Sequence, residues 1–125
     1  MDVVKDQNKI MYLFYEYNPL TKQKDKQIGE IIVEKNKHVA KLIKFNFQKS
    51  KFSYDNWLQV KMNLINKKFK KVVVDFKENM DNMGSMVKSY KYIDFKTDYK
   101  NYPTIIHYNN KTEELHRYMS MVLTL

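Results

Sequence analysis

The run Ile10-Met11-Tyr12-Leu13-Phe14-Tyr15-Glu16-Tyr17 is apolar on both faces and rich in aromatics, which predicts a buried strand over Lys9 to Tyr17. Asn18-Pro19 ends it, and Leu20 to Lys26 is a polar, lysine-rich connection. From Gln27 to Glu34, Ile31 and Val33 alternate with Glu30 and Glu34, the pattern of a half-exposed strand. Lys35-Asn36-Lys37 predicts a tight turn and Val39 to Phe47 the partner strand. The first third therefore reads as a three-stranded antiparallel meander.

Ser53 can cap a helix with Asp55 in its first turn, and Trp57, Leu58, Val60, Met62, Leu64, Ile65 and Phe69 follow over a broad face at helical spacing. Lys67, Lys68, Lys70 and Lys71 crowd its end, where cations complement the helix dipole. Val72-Val73-Val74 predicts a central strand covered on both faces. Asn79 to Ser89 has no clean period and reads as a loop or short helical turn. Tyr90 to Lys96 alternates as a strand, Asp98 to Pro103 connects, Thr104 to Tyr108 is another strand, and Asn109-Asn110 is a turn. Thr112 followed by Glu113 and Glu114 signals a closing helix, with Leu115, Tyr118, Met119 and Val122 at helical positions. The expected fold is one α+β domain over residues 1–125, a mainly antiparallel sheet with two helices in the order βββα-βββα.

A chain of 125 residues suits a single core, and 43% hydrophobic residues with only two glycines and two prolines is a folding composition. No cysteine occurs, which excludes disulfides, thiolate metal sites and thiol catalysis. His38, His107 and His116 stand apart from one another and from further ligands, so no metal and no cofactor is assigned. No run approaches the roughly eighteen apolar residues of a membrane span, and the start lacks a signal-peptide core, so a cytoplasmic protein is expected. With Gly29 and Gly84 alone there is no glycine-rich phosphate loop, dinucleotide fingerprint or nucleophile elbow.

The net charge of +9 predicts an anionic partner, either nucleic acid or an acidic protein surface. Of 23 basic residues only Arg117 is an arginine, which disfavours bidentate reading of duplex bases and leaves lysines as point charges on phosphates. Lysines interleave with aromatics in Tyr90-Lys91-Tyr92, Phe95-Lys96 and Tyr99-Lys100 with Tyr102, and again at Lys41, Lys44, Phe45, Phe47, Lys49 and Lys51. Tyrosines of this kind stack on unpaired bases while lysines follow the backbone, independent of sequence. The same aromatics would equally fill a core.

Val74-Asp75-Phe76-Lys77 and Ile93-Asp94-Phe95-Lys96 echo one another. With the repeated sheet-then-helix order, the architecture is similar to the Whirly and Pur-alpha types of single-stranded nucleic acid binder. The favoured reading is thus a non-enzymatic module for single-stranded or structured nucleic acid, through Lys41, Lys44, Lys67, Lys68, Lys70, Lys71, Tyr90, Lys91, Tyr92, Lys96 and Tyr99. An alternative is an inhibitor or adaptor of a phage or other mobile element, docking on a host protein with Met80, Met83 and Met86 as an adaptable contact. A third is a magnesium nuclease of the restriction-endonuclease type, with Asp75 and Asp94-Phe95-Lys96 as its carboxylates and lysine.

Overall fold

The computed structural model describes residues 1–79 and 84–125. The elements run β1 (Asp2–Asp6), β2 (Lys9–Tyr17), β3 (Lys24–Asn36), β4 (Val39–Phe47), α1 (Tyr54–Asn66), β5 (Lys71–Asn79), α2 (Ser85–Tyr92), β6 (Lys96–Thr97), β7 (Ile105–Asn109) and β8 (Glu114–Thr124). The class is α+β as expected, but the order is not βββα-βββα. Two compact units divide the chain, Met1–Lys70 with Leu125, and Lys71–Thr124.

In the first unit the expected meander is present and carries one more strand. β1 pairs β2, β2 pairs β3 and β3 pairs β4, each antiparallel. The turn between β3 and β4 falls at Lys37-His38, after the Asn36↔Val39 pair, with Lys37 at φ 56°. Because opposite residues of an antiparallel pair share a face, Ile10, Tyr12 and Phe14 of β2 lie with Ile31 and Val33 of β3, and all are buried. Helix α1 begins where Ser53 predicts. Ser53 and Asn56 form a reciprocal capping box, and Trp57, Val60 and Leu64 make the buried stripe. Tyr12 on β2 donates to Asn63 on α1, and the Phe45 ring meets Trp57 edge-on at 5.8 Å.

In the second unit, β5 pairs β8 along its whole length from Lys71↔Thr124 to Asn79↔His116. Short β6 and β7 also pair β8, all antiparallel. Val72, Val73 and Val74 are buried, as a central strand requires.

Two elements correct the sequence reading. The expected strand Tyr90 to Lys96 begins in the last turn of helix α2, turns at Ile93-Asp94 and reaches a strand only at Lys96; on the helix half-buried Val87 and Tyr90 fall three apart, while Lys88, Lys91 and Tyr92 stay exposed. The Tyr-Lys-Tyr alternation that imitates a strand is the end of that helix, with Tyr90 on its inner side and Lys91 and Tyr92 on its exposed side. The expected closing helix is instead β8. Met119, Met121 and Leu123 are buried at a spacing of two, and this tighter period prevails over the helical spacing of Leu115, Tyr118 and Val122. Met80 and Met83 lie outside the described residues.

Candidate functional site

The most distinctive local feature of the first unit is at the end of β4. Its register with β3 shifts between Ile32↔Lys44 and Val33↔Leu42, so Ile43 is an extra residue bulged out of the ladder. The bulge reverses which side chains face inward. Ala40 and Leu42 are buried before it, whereas Phe45 and Phe47 turn inward after it. Both then join Phe14, Phe52 and Trp57 in an aromatic cluster with ring centroids 5.1–5.8 Å apart.

Beyond Phe47 the chain makes a β-turn, in which the Lys51 N–H donates to the Gln48 carbonyl at 3.0 Å and Ser50 takes φ 63°. Gln48 is tied to β3 twice, its N–H donating to the Ile28 carbonyl at 2.8 Å and its side chain to the Gln27 carbonyl at 3.2 Å. Phe52 anchors the other end in the aromatic cluster. The segment between is thereby held with Lys49, Ser50 and Lys51 outside, directly ahead of α1. Lys51 pairs with Glu16 of β2, which holds the Glu16 carboxyl below its usual value.

A bulged strand, a basic turn and the positive end of a 13-residue helix thus follow one another. The first amide N–H groups of a helix lack intrahelical acceptors and favour an anion, and the lysines add full charges to theirs. Asp55 in the first turn is the carboxylate that α1 places beside them.

The residues singled out from sequence are divided between the two units. Lys41 and Lys44 are exposed on β4, with Lys44 paired to Glu30. Lys67 is the C-cap of α1, Lys68 follows at φ 71°, and Lys70 donates its N–H to the His38 carbonyl. In the second unit, the Lys71 ammonium donates to the Tyr102 hydroxyl at 3.1 Å. Tyr90 is half-buried against Phe76 and Phe95, and burial pushes its hydroxyl pKa up. Tyr92 and Tyr99 are exposed, as are Lys91 on α2 and Lys96 on β6. Asp75 lies on β5 and accepts from the Ser120 hydroxyl. Asp94 follows α2 at φ 75° rather than lying on a strand. Among the described residues no three His, Cys, Asp or Glu side chains gather as metal ligands.

No protein-family model matches the chain, and no curated protein matches its sequence. Solved structures do. A candidate streptothricin acetyltransferase of Bacillus anthracis, in complex with acetyl coenzyme A, superposes with a TM-score of 0.64 at 14% identity, over 98% of this chain and 65% of that one. A Bacillus subtilis acetyltransferase in complex with CoA gives 0.63 at 11%, over 95% and 78%. Spermidine N-acetyltransferase of Vibrio cholerae gives 0.63 at 12%, over 95% and 67%.

The fold is that of the GNAT acetyltransferases.

The chain covers just under two thirds of the first of these relatives. The likeness overturns the reading as a non-enzymatic nucleic-acid binder, with its alternatives of host-directed adaptor and magnesium nuclease. What suggested the Whirly and Pur-alpha likeness was an element order containing a strand and a helix that do not exist. Within the acetyltransferase fold, the basic turn ahead of α1 is the feature that sequence reasoning passed over. It noted Lys49 and Lys51 as part of a lysine-aromatic stretch and Ser53 as a cap. A strand, a basic turn and a capped helix in immediate succession is the signal that joins them.

Among the described residues no helix is long and apolar enough to cross a membrane.

Proposed function

We propose that the protein is an acyl-coenzyme A-dependent N-acyltransferase. The observation that carries this reading is the superposition on acetyltransferases over 94–98% of the chain, two of them solved with coenzyme A or its acetyl ester.

The donor set ahead of α1 suits the phosphates of such a molecule. Lys49, Lys51 and the Ser53 hydroxyl would hold them together with the opening amides of the helix. Glycine-rich loops bring backbone N–H groups up to a phosphate; the turn Gln48–Ser53 has no glycine and places side-chain ammonium groups there instead. Coenzyme A affinity should accordingly fall steeply with salt. The Ile43 bulge takes one residue of β4 out of its pairing with β3, an irregularity of the kind found beside active sites. A bound acyl thioester would supply an activated carbonyl, on which an amine forms the C–N bond as the C–S bond breaks and the amine's proton leaves with the thiol. With a net charge of +9, the chain favours an acceptor amine that is neutral or carried on an acidic molecule over a polycation.

The test is calorimetric titration with acetyl coenzyme A, followed by a thiol-release assay over a panel of amines. Saturable binding that weakens about tenfold in Lys49→Glu supports the reading. Absence of binding at millimolar acetyl coenzyme A in low salt would sink it.

A further inference from the structure

At the other end of α1, where β1 turns into β2, lies a pocket of about 300 Å³ that the acyltransferase reading does not use. We propose that this pocket binds a small molecule carrying two or more linked phosphates.

Its walls are basic and its floor is apolar. Lys5, Lys35 and Lys67 line it, over Ile10 and Phe69, which are 6% and 7% exposed, while Lys9 borders it but directs its side chain to the other face of β2. The register explains why the lysines meet. Lys5 lies opposite Ile10, Ile10 opposite Val33, and Lys35 is two residues beyond Val33, so Lys5 and Lys35 point to the face that carries Ile10. Lys67, as the C-cap of α1, comes in from the helix side. The acids nearby are turned elsewhere: Glu34 neighbours Lys35 on the opposite face, across from Lys9 and Lys41, and Asp6 lies across from Lys9. None of Lys5, Lys35 and Lys67 has an ion-pair partner among the described residues.

The lysines therefore repel one another without compensation. Contact with Lys5, desolvation, and the charges of Lys5 and Lys35 all hold the Lys67 ammonium below its usual pKa. Such a convergence costs folding energy, and an anion that bridges the ammonium groups returns it. A diphosphate carries more negative charge than a single phosphate and spreads it over a longer span, so it bridges three converging ammonium groups with less crowding. The site is also pre-formed. The Lys35 N–H donates to the Asn8 carbonyl at 2.6 Å, fixing the β1–β2 turn, in which Gln7 takes φ 56°. A volume near 300 Å³ is at the lower end for small-molecule pockets, and the floor leaves room for an organic body.

The proposal does not rest on the acyltransferase reading, because the two sites sit at opposite ends of a 13-residue helix, about 20 Å apart. Calorimetry of the whole chain at fixed ionic strength, with inorganic pyrophosphate, orthophosphate and ADP, tests it. Pyrophosphate should bind about tenfold more tightly than orthophosphate. Lys35→Ala/Lys67→Ala should abolish that preference, while Lys49→Ala leaves it intact. Tighter binding of ADP than of pyrophosphate would identify the source as an organic phosphate seated on Ile10 and Phe69; equal binding would identify an inorganic one. In a melting assay without ligand, Lys67→Met should match or exceed the wild type, since it removes repulsion. Failure of pyrophosphate to saturate, loss of binding in Lys49→Ala equal to that in the double variant, or a lower melting temperature for Lys67→Met would each overturn the proposal.

Discussion

The hydroxyl of Tyr12, fully buried on β2, donates a 2.8 Å hydrogen bond to the side-chain oxygen of Asn63 on α1. Burial raises the Tyr12 pKa well beyond the ordinary tyrosine range, so the hydroxyl stays protonated and remains a donor. The bond ties helix to meander at a part-buried point. Tyr12→Phe should cost about 1 kcal/mol in urea unfolding, through loss of this hydrogen bond. A double-mutant cycle with Asn63→Ala should return a coupling of about 1 kcal/mol; additive single effects would show that the bond contributes nothing.

Gly29 is fixed by close approach rather than by its backbone angles. A Cβ there would lie 2.2 Å from the Phe47 ring. Gly29→Ala should destabilise by about 1–3 kcal/mol, as overpacking does, and Phe47→Leu in the same chain should recover part of the loss. Thermal melts of the three variants decide this, and a harmless Gly29→Ala would contradict it.

Glu78 is 2% exposed and receives Arg117, the Met86 N–H and the Ser85 hydroxyl. Burial alone would push its carboxyl pKa up, but Arg117, Met86 and Ser85 outweigh burial and hold it below the usual value. A depressed folded-state pKa contributes stability that is complete above the unfolded pKa and is lost as pH falls through the folded one. Glu78→Gln should cost about 3 kcal/mol at pH 7, because it leaves Arg117 without its counter-charge. Below the unfolded carboxyl range, near pH 4, the gap between the two proteins should narrow in parallel denaturant titrations. A gap independent of pH would assign Glu78 a role in packing alone.

Ser50 occupies the left-handed region at φ 63°, a conformation that disfavours side chains. Ser50→Gly should leave the fold as stable or stabilise it by up to about 1 kcal/mol, and Ser50→Val should destabilise it. If acyl coenzyme A binds at this turn, Ser50→Gly should retain binding, since it moves no charge.

Much of the first unit was legible in the sequence. The both-face apolar run at Ile10–Tyr17, the alternation around Ile31 and Val33 and the Ser53 cap each have one strong local interpretation, and each is found. The second unit was less so. Tyr90-Lys91-Tyr92 satisfies a period of two as well as a helix with Val87 and Tyr90 on its inner side. Thr112-Glu113-Glu114 looks like a helix start, yet Glu113 takes φ 55° in the turn before β8. In the second case pairing decides, since β8 is bonded to β5, β6 and β7, and in the first it is the packing of Tyr90 on Phe76 and Phe95; such long-range partners leave no local trace. The candidate site was hidden for a different reason. Its lysines were visible, but their meaning depends on the Ile43 bulge, which exists only once β3 and β4 are in register.

That bulge makes the length of β4 as informative as its composition. Ile43 acts as a spacer letter that resets the reading frame of the strand: with it bulged out, Leu42, Phe45 and Phe47 fall opposite Val33, Ile31 and Gly29, whereas pairing Ile43 into a regular ladder would send Lys44 and Asn46 toward the aromatic cluster and Phe45 and Phe47 outward. A substitution at Ile43, which is 42% exposed, alters one side chain, whereas pairing that residue into the ladder would re-face four others. The bulge itself, rather than the side chain it carries, is what lets an even-numbered and an odd-numbered set of residues on one strand face the same core.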